Sequence, residues 1–67
     1  MKRIQTFTLG KYMVKVWKNL DMQEFLCRLY VGGKLYEPAD YFTDSRPDAM
    51  GSAQAMLKEA HSKGFAI

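Results

Sequence analysis

The sequence predicts an α+β fold of β-β-β-α order, a three-stranded antiparallel meander with one C-terminal helix packed on one face. Three observations carry this. Residues 12–42 contain two runs rich in β-branched and aromatic side chains and a third run interrupted by Pro38. Gly32-Gly33 stands directly between the second and third runs, where a tight hairpin needs positive φ at both central positions. Residues 46–63 space small and apolar side chains at helical intervals between a start signal and a stop signal. The chain has 67 residues, enough for a single domain, which buries only about 60% of the surface its unfolded form exposes. Its one cysteine excludes an internal disulfide, and no Cys/His cluster offers a structural metal or implies a cofactor.

Residues 1–11 read as a polar-apolar lead-in ending at Gly10, from which Phe7 and Leu9 tuck onto the body or fray. The first strand is 12–19, Tyr-Met-Val-Lys-Val-Trp-Lys-Asn. Leu20–Gln23 is a four-residue connection. The second strand is 24–31, Glu-Phe-Leu-Cys-Arg-Leu-Tyr-Val, and the third is 34–42. Pro38 donates no ladder hydrogen bond, so the third strand belongs at a sheet edge with a bulge. These turn lengths set a register. Val16 faces Cys27, Val14 faces Leu29, Trp17 faces Leu26, Lys15 faces Arg28 and Met13 faces Tyr30. Across the second hairpin, Leu29 faces Tyr36, Tyr30 faces Leu35 and Arg28 faces Glu37. The Pro38 bulge brings Tyr41 back into phase with Phe25. Val14, Val16, Phe25, Cys27, Leu29, Val31 and Tyr36 then share one apolar face, the core side.

The helix is expected over 46–63. Ser45 and Asp48 have capping-box spacing, and Pro47 is tolerated in a first turn. Ala49, Ala53, Met56, Leu57 and Ala60 form the inward stripe. Gly64 is the C′ residue, with Phe65 as the apolar contact of the cap. Gly51 costs about 1 kcal/mol relative to alanine.

One helix covers one face. The other face is left with Met13, Lys15, Trp17, Leu26, Arg28, Tyr30, Leu35 and Glu37. These are the candidate partner-binding residues. Trp, Tyr, Met and Arg are enriched at interface cores, and a contiguous apolar patch on so small a protein implies a partner. Lys15 opposite Arg28 is an unfavourable like-charge pair unless Glu37 or a partner's anion lies between them. The bland reading has residues 1–11 folding across this face. Charge is asymmetric: residues 1–34 hold seven bases and two acids, whereas 35–67 hold three bases and five acids. That asymmetry suits an anionic partner or mutual attraction of two copies.

The stretch Glu24–Ala60 resembles in outline the last two strands and final helix of double-stranded-RNA-binding domains, in which a Gly-containing hairpin also leads to an alanine-rich helix. That family has an N-terminal helix, absent here, and a basic cluster at the start of its last helix. This chain instead has Asp44-Ser45-Arg46-Pro47-Asp48, which repels phosphate, so the family's function is not carried over. The compact layout and the run Ala39-Asp40-Tyr41-Phe42-Thr43-Asp44 before the helix are similar to small uncharacterised proteins of phage and prophage genomes. That resemblance implies binding to a host or phage macromolecule.

Catalysis is not expected. His61, the one histidine, falls near a helix C-terminus, where an imidazolium favours the last carbonyls. Cys27 falls mid-strand on the core face as a small apolar filler, with nothing placed to activate it. The acids Glu37, Asp40, Asp44 and Asp48 lack the spacing of a calcium loop, and Gly32-Gly33 is not a phosphate loop because no helix follows it. The expected function is therefore a non-catalytic binding protein whose open sheet face engages another protein or, in a homodimer, a second copy. The alternative is a nucleic-acid accessory protein using Lys15, Arg28, Trp17 and Tyr30, with Lys2, Arg3 and Lys11. No small-molecule substrate and no membrane association are expected. Unpaired Cys27 and the lack of an export signal point to the cytoplasm.

Overall fold

The computed structural model describes residues 1–67. It contains strands β1 (Lys2–Leu9), β2 (Tyr12–Asn19), β3 (Glu24–Val31) and β4 (Lys34–Thr43), followed by helix α1 (Arg46–Lys63). The strands form one antiparallel sheet in the order β1-β2-β3-β4. The sheet therefore has four strands, not three. The expected lead-in over 1–11 is β1 and its turn. The alternation that marks a strand is broken in this segment because Ile4 lies three residues, not two, before Phe7. A bulge between Arg3 and Gln5 absorbs the mismatch. It lets Ile4 and Phe7 both pack against the core. Gly10, at φ +60°, then opens a two-residue turn with the positive φ that II′ hairpins need at their first central position.

Between β2 and β3 the register is the expected one at every pair from Met13–Tyr30 to Trp17–Leu26. The connection is organised by Asn19, whose Oδ1 accepts from the backbone N–H groups of Asp21 and Met22. Gly32 and Gly33 take φ of +57° and +86°, as a two-residue I′ turn requires. Beyond it Tyr30 faces Leu35 and Leu29 faces Tyr36.

The bulge at Pro38 is larger than expected. One residue of β3, Arg28, faces four of β4, Glu37–Asp40, before pairing resumes at Cys27–Tyr41. Arg28 therefore does not pair with Glu37. Tyr41 lies opposite Cys27, not Phe25, whose partner is Thr43. Both bulge sizes insert an odd number of residues, so Tyr41 still falls on the helix side and Phe42 on the other.

Helix α1 is N-capped by Ser45, whose Oγ accepts from the Asp48 N–H at 3.3 Å. The capping box closes in one direction only. The Asp48 carboxylate accepts from the Tyr41 hydroxyl at 2.6 Å, while the Ser45 N–H donates to Thr43 Oγ1. At the other end Gly64 adopts the left-handed conformation, and the Phe65 N–H reaches back to the Ala60 carbonyl. The Phe65 ring then packs on Tyr36 with centroids 4.8 Å apart. The buried stripe Ala49, Ala53, Leu57 and Ala60 lets the helix lie close on β2 and β3. Val14, Val16 and Cys27 beneath it are wholly inaccessible to solvent. Tyr12 ties the sheet to the chain's end by donating its hydroxyl to the Phe65 carbonyl at 2.6 Å.

Candidate binding face

The face of the sheet away from α1 is built in three rows that run across the strands, each row set by the pairing registers. The first contains Thr8, Met13, Tyr30 and Leu35. The second contains Thr6, Lys15 and Arg28, the last reaching into the β4 bulge. The third contains Arg3, Trp17, Leu26 and Phe42. Alternate residues along a strand lie about 6.8 Å apart, so two largely apolar bands flank one charged band. In the third row Leu26 is only 3% exposed and Phe42 is 53% exposed. A leucine on the side lacking a helix is thus sealed by its larger neighbours.

The charged row settles the apparent conflict between Lys15 and Arg28 by turning the two cations apart. Lys15 Nζ sits over the Tyr30 ring, 4.8 Å from its centroid, a distance at which the ring quadrupole attracts a cation. Arg28 pairs with Asp40 at 3.3 Å. The bulge supplies that carboxylate, so Asp40 takes the neutralising role expected of Glu37. Glu37 itself is exposed and forms no ion pair.

Three buried side-chain polar atoms lack a hydrogen-bond partner: Trp17 Nε1, Arg28 Nε and Asp40 Oδ1. All three belong to this face, and none to the helix-covered core. A buried unpaired polar group costs about 1–3 kcal/mol.

Of the expected residues, the structure brings Met13, Lys15, Trp17, Leu26, Arg28, Tyr30 and Leu35 together here. It adds Phe42, Asp40, Arg3, Thr6 and Thr8. The signal for Phe42 and Asp40 was present in the sequence, because any odd-sized bulge at Pro38 puts both on this side. Arg3 and the threonines carried no such signal without β1 in the sheet.

Cys27 Sγ donates to the Ala49 carbonyl at 3.2 Å, and burial pushes its thiol pKa up, away from thiolate chemistry. His61 packs edge-on against Tyr12, with centroids 6.1 Å apart, beside the Gly10 turn. A cleft of about 230 Å³ lies between the end of α1 and the β3–β4 hairpin, lined by Leu29, Tyr36, Met56 and Phe65 with Glu59 and Lys63 beside them. It is smaller than the roughly 300–1,000 Å³ of small-molecule sites. No helix is long and apolar enough to cross a membrane. No family model, curated protein or solved structure matches the chain.

Proposed function

We propose that the chain is a non-catalytic binding protein that acts by occupying a protein partner through its open sheet face. Trp17 and Phe42 anchor one apolar band, Met13, Tyr30 and Leu35 form the other, and Lys15 and Arg3 steer. The observation that carries this reading is the concentration of unpartnered buried polar atoms on the face that also carries the most exposed aromatic side chain, Phe42 at 53%. The apolar bands supply the area, and a partner whose docking turns the Trp17 and Asp40 side chains outward can accept from the indole N–H or donate to Oδ1, atoms that are buried in the free chain.

The charge pattern supports the alternative, nucleic acid. The β1–β2 hairpin and its flanks, residues 1–20, hold Lys2, Arg3, Lys11, Lys15 and Lys18 and no acidic residue. Against it, Asp40 neutralises one of the central cations, and nucleic-acid modules carry a denser basic footprint.

The test is capture from a host lysate with three proteins: wild type, Trp17→Ala with Phe42→Ala, and Gln54→Ala on the exposed side of the helix. A partner held by the face is retained by wild type and Gln54→Ala and lost by the double variant. Equal capture by all three rejects the reading. Single-stranded RNA binding at low salt that falls steeply as salt rises transfers the face to nucleic acid. Lys15→Glu with Arg3→Glu then discriminates further, because it should abolish phosphate binding and only slow a mainly apolar protein association. Arg28 is unsuitable for that swap, since its loss also strands Asp40.

A further inference from the structure

We propose that two copies of this chain pair edge to edge through β1, antiparallel across a two-fold axis at Thr6, to make one eight-stranded sheet. This interface is the sheet edge and does not rest on what the open face binds.

The two edges of the sheet differ. β4 is blunted by Pro38 and by the four residues that bulge opposite Arg28. β1 has its bulge near its start, between Arg3 and Gln5, and pairs regularly from Gln5 to Leu9. The segment Ile4-Gln5-Thr6-Phe7-Thr8-Leu9 has no charge, proline or glycine. Such β-prone segments on an exposed edge are those that pair with their own kind. Ladder bonds alternate along an antiparallel strand, and Leu9–Tyr12 closes the two-residue turn. Phe7 and Leu9 therefore bond to β2, while Thr6 and Thr8 direct their backbone groups outward. The Thr6 N–H shows this directly: its acceptor is the neighbouring Gln5 Oε1, at 3.3 Å and exposed to solvent. A second strand replaces that long contact with a backbone carbonyl.

Charge and ladder length select the register. With Thr6 facing Thr6 of the second copy, Gln5 faces Phe7, Arg3 faces Leu9 and Lys2 faces Gly10, so no charged side chain opposes another directly. An axis at Thr8 opposes no charges either, but it runs into the Gly10-Lys11 turn two residues on. Moving the axis to Phe7 sets Arg3 against Lys11, and moving it to Gln5 brings the bulged Ile4 next to the axis, whereas at Thr6 the bulge is reached only at the Thr8–Ile4 pair. Because β4 is closed to pairing, assembly stops at two copies. A domain with 12 buried residues and no disulfide also benefits from a larger sheet.

The pairing gathers five bases from residues 1–20 of each copy around the axis, so salt should strengthen it by screening. Light scattering on the full chain, from micromolar to millimolar concentration, should show a change from 7.7 kDa to twice that mass. The dissociation constant should fall by about threefold or more between roughly 0.02 and 0.5 M salt. Thr6→Lys places like charges directly opposite and should weaken the dimer by about fivefold or more. Mixing the Thr6→Lys and Thr6→Glu proteins should restore a dimer containing one of each. Thr6→Pro removes an outward N–H that an edge strand does not use internally, and should also leave monomer. Unchanged far-ultraviolet circular dichroism in each variant shows that the fold is kept. A chain that stays at 7.7 kDa throughout overturns the proposal. So does a dimer that weakens with salt, one indifferent to all three Thr6 substitutions, or growth past two copies.

Discussion

On the helix side of the sheet, eleven buried residues form one cluster, and no buried side-chain polar atom there lacks a partner. On the opposite side of the same strands, Leu26 alone is buried, Phe42 is largely exposed, and all three unpartnered polar atoms are found. Both faces come from one alternation along β2 and β3, and both are rich in large apolar residues. They differ because the helix side has received a complementary surface of small side chains, Ala49, Ala53 and Ala60, and the other has not. Apolar content alone therefore does not say which face is finished. The pairing of polar atoms does.

Substitutions on the two faces should accordingly fail in different currencies. Leu29→Ala, beneath the helix, should lose about 2–5 kcal/mol of stability, read by urea denaturation. A chain this short has roughly 3–10 kcal/mol in all, so the loss is a large fraction of its stability. Trp17→Ala should instead cost at least about 2 kcal/mol of partner affinity by calorimetry. Its denaturation midpoint should move less than that of Leu29→Ala. The reverse order would break the distinction between a packed face and a binding face.

Gly51→Ala is the control that touches neither face. A Cβ at this helical position meets no neighbour, and the substitution should raise stability by about 0.5–1 kcal/mol without changing affinity.

The smallest effect concerns the helix start. The hydrogen bond from the Tyr41 hydroxyl is the main reason the Asp48 carboxyl titrates below its usual range, and the same bond holds the Tyr41 phenol above its own. A carboxyl with a lowered folded-state pKa adds stability above its unfolded value near 3.8, which is lost as pH falls through the folded value. A raised phenol adds stability below its unfolded value near 10, lost as pH rises through the folded one. Tyr41→Phe should move the Asp48 titration upward in a carbon-detected NMR experiment. An unmoved Asp48 would detach this contact from the helix start.

Legibility followed the range of the interactions. The β2–β3 register was readable because alternating apolar residues and a four-residue connection each admit one solution. Gly32-Gly33 and the Ser45-to-Gly64 frame of the helix were readable because caps and tight turns are local chemistry. β1 was not, since Ile4 and Phe7 are out of phase until a bulge realigns them, and a bulge is defined by the partner strand. The ion pair of Arg28 with Asp40 in place of Glu37 was hidden for the same reason, because the size of the Pro38 bulge is settled across the sheet. For the binding face, Met13, Lys15, Trp17, Leu26, Tyr30 and Leu35 were legible from alternation alone, whereas Arg3 entered only with β1.

By itself the sequence determined the hairpin turn at Gly32-Gly33, the bounds of the helix, and which side chains of β2 and β3 share a face. Each depends on φ preference, capping or the two-residue period, which act within a few residues along the chain. The tertiary structure decided that a fourth strand completes the sheet, that β4 bulges by three residues, and that Lys15 turns to Tyr30 while Arg28 turns to Asp40. Those outcomes depend on hydrogen bonds and charges brought together from distant positions, and only the assembled sheet sets them side by side.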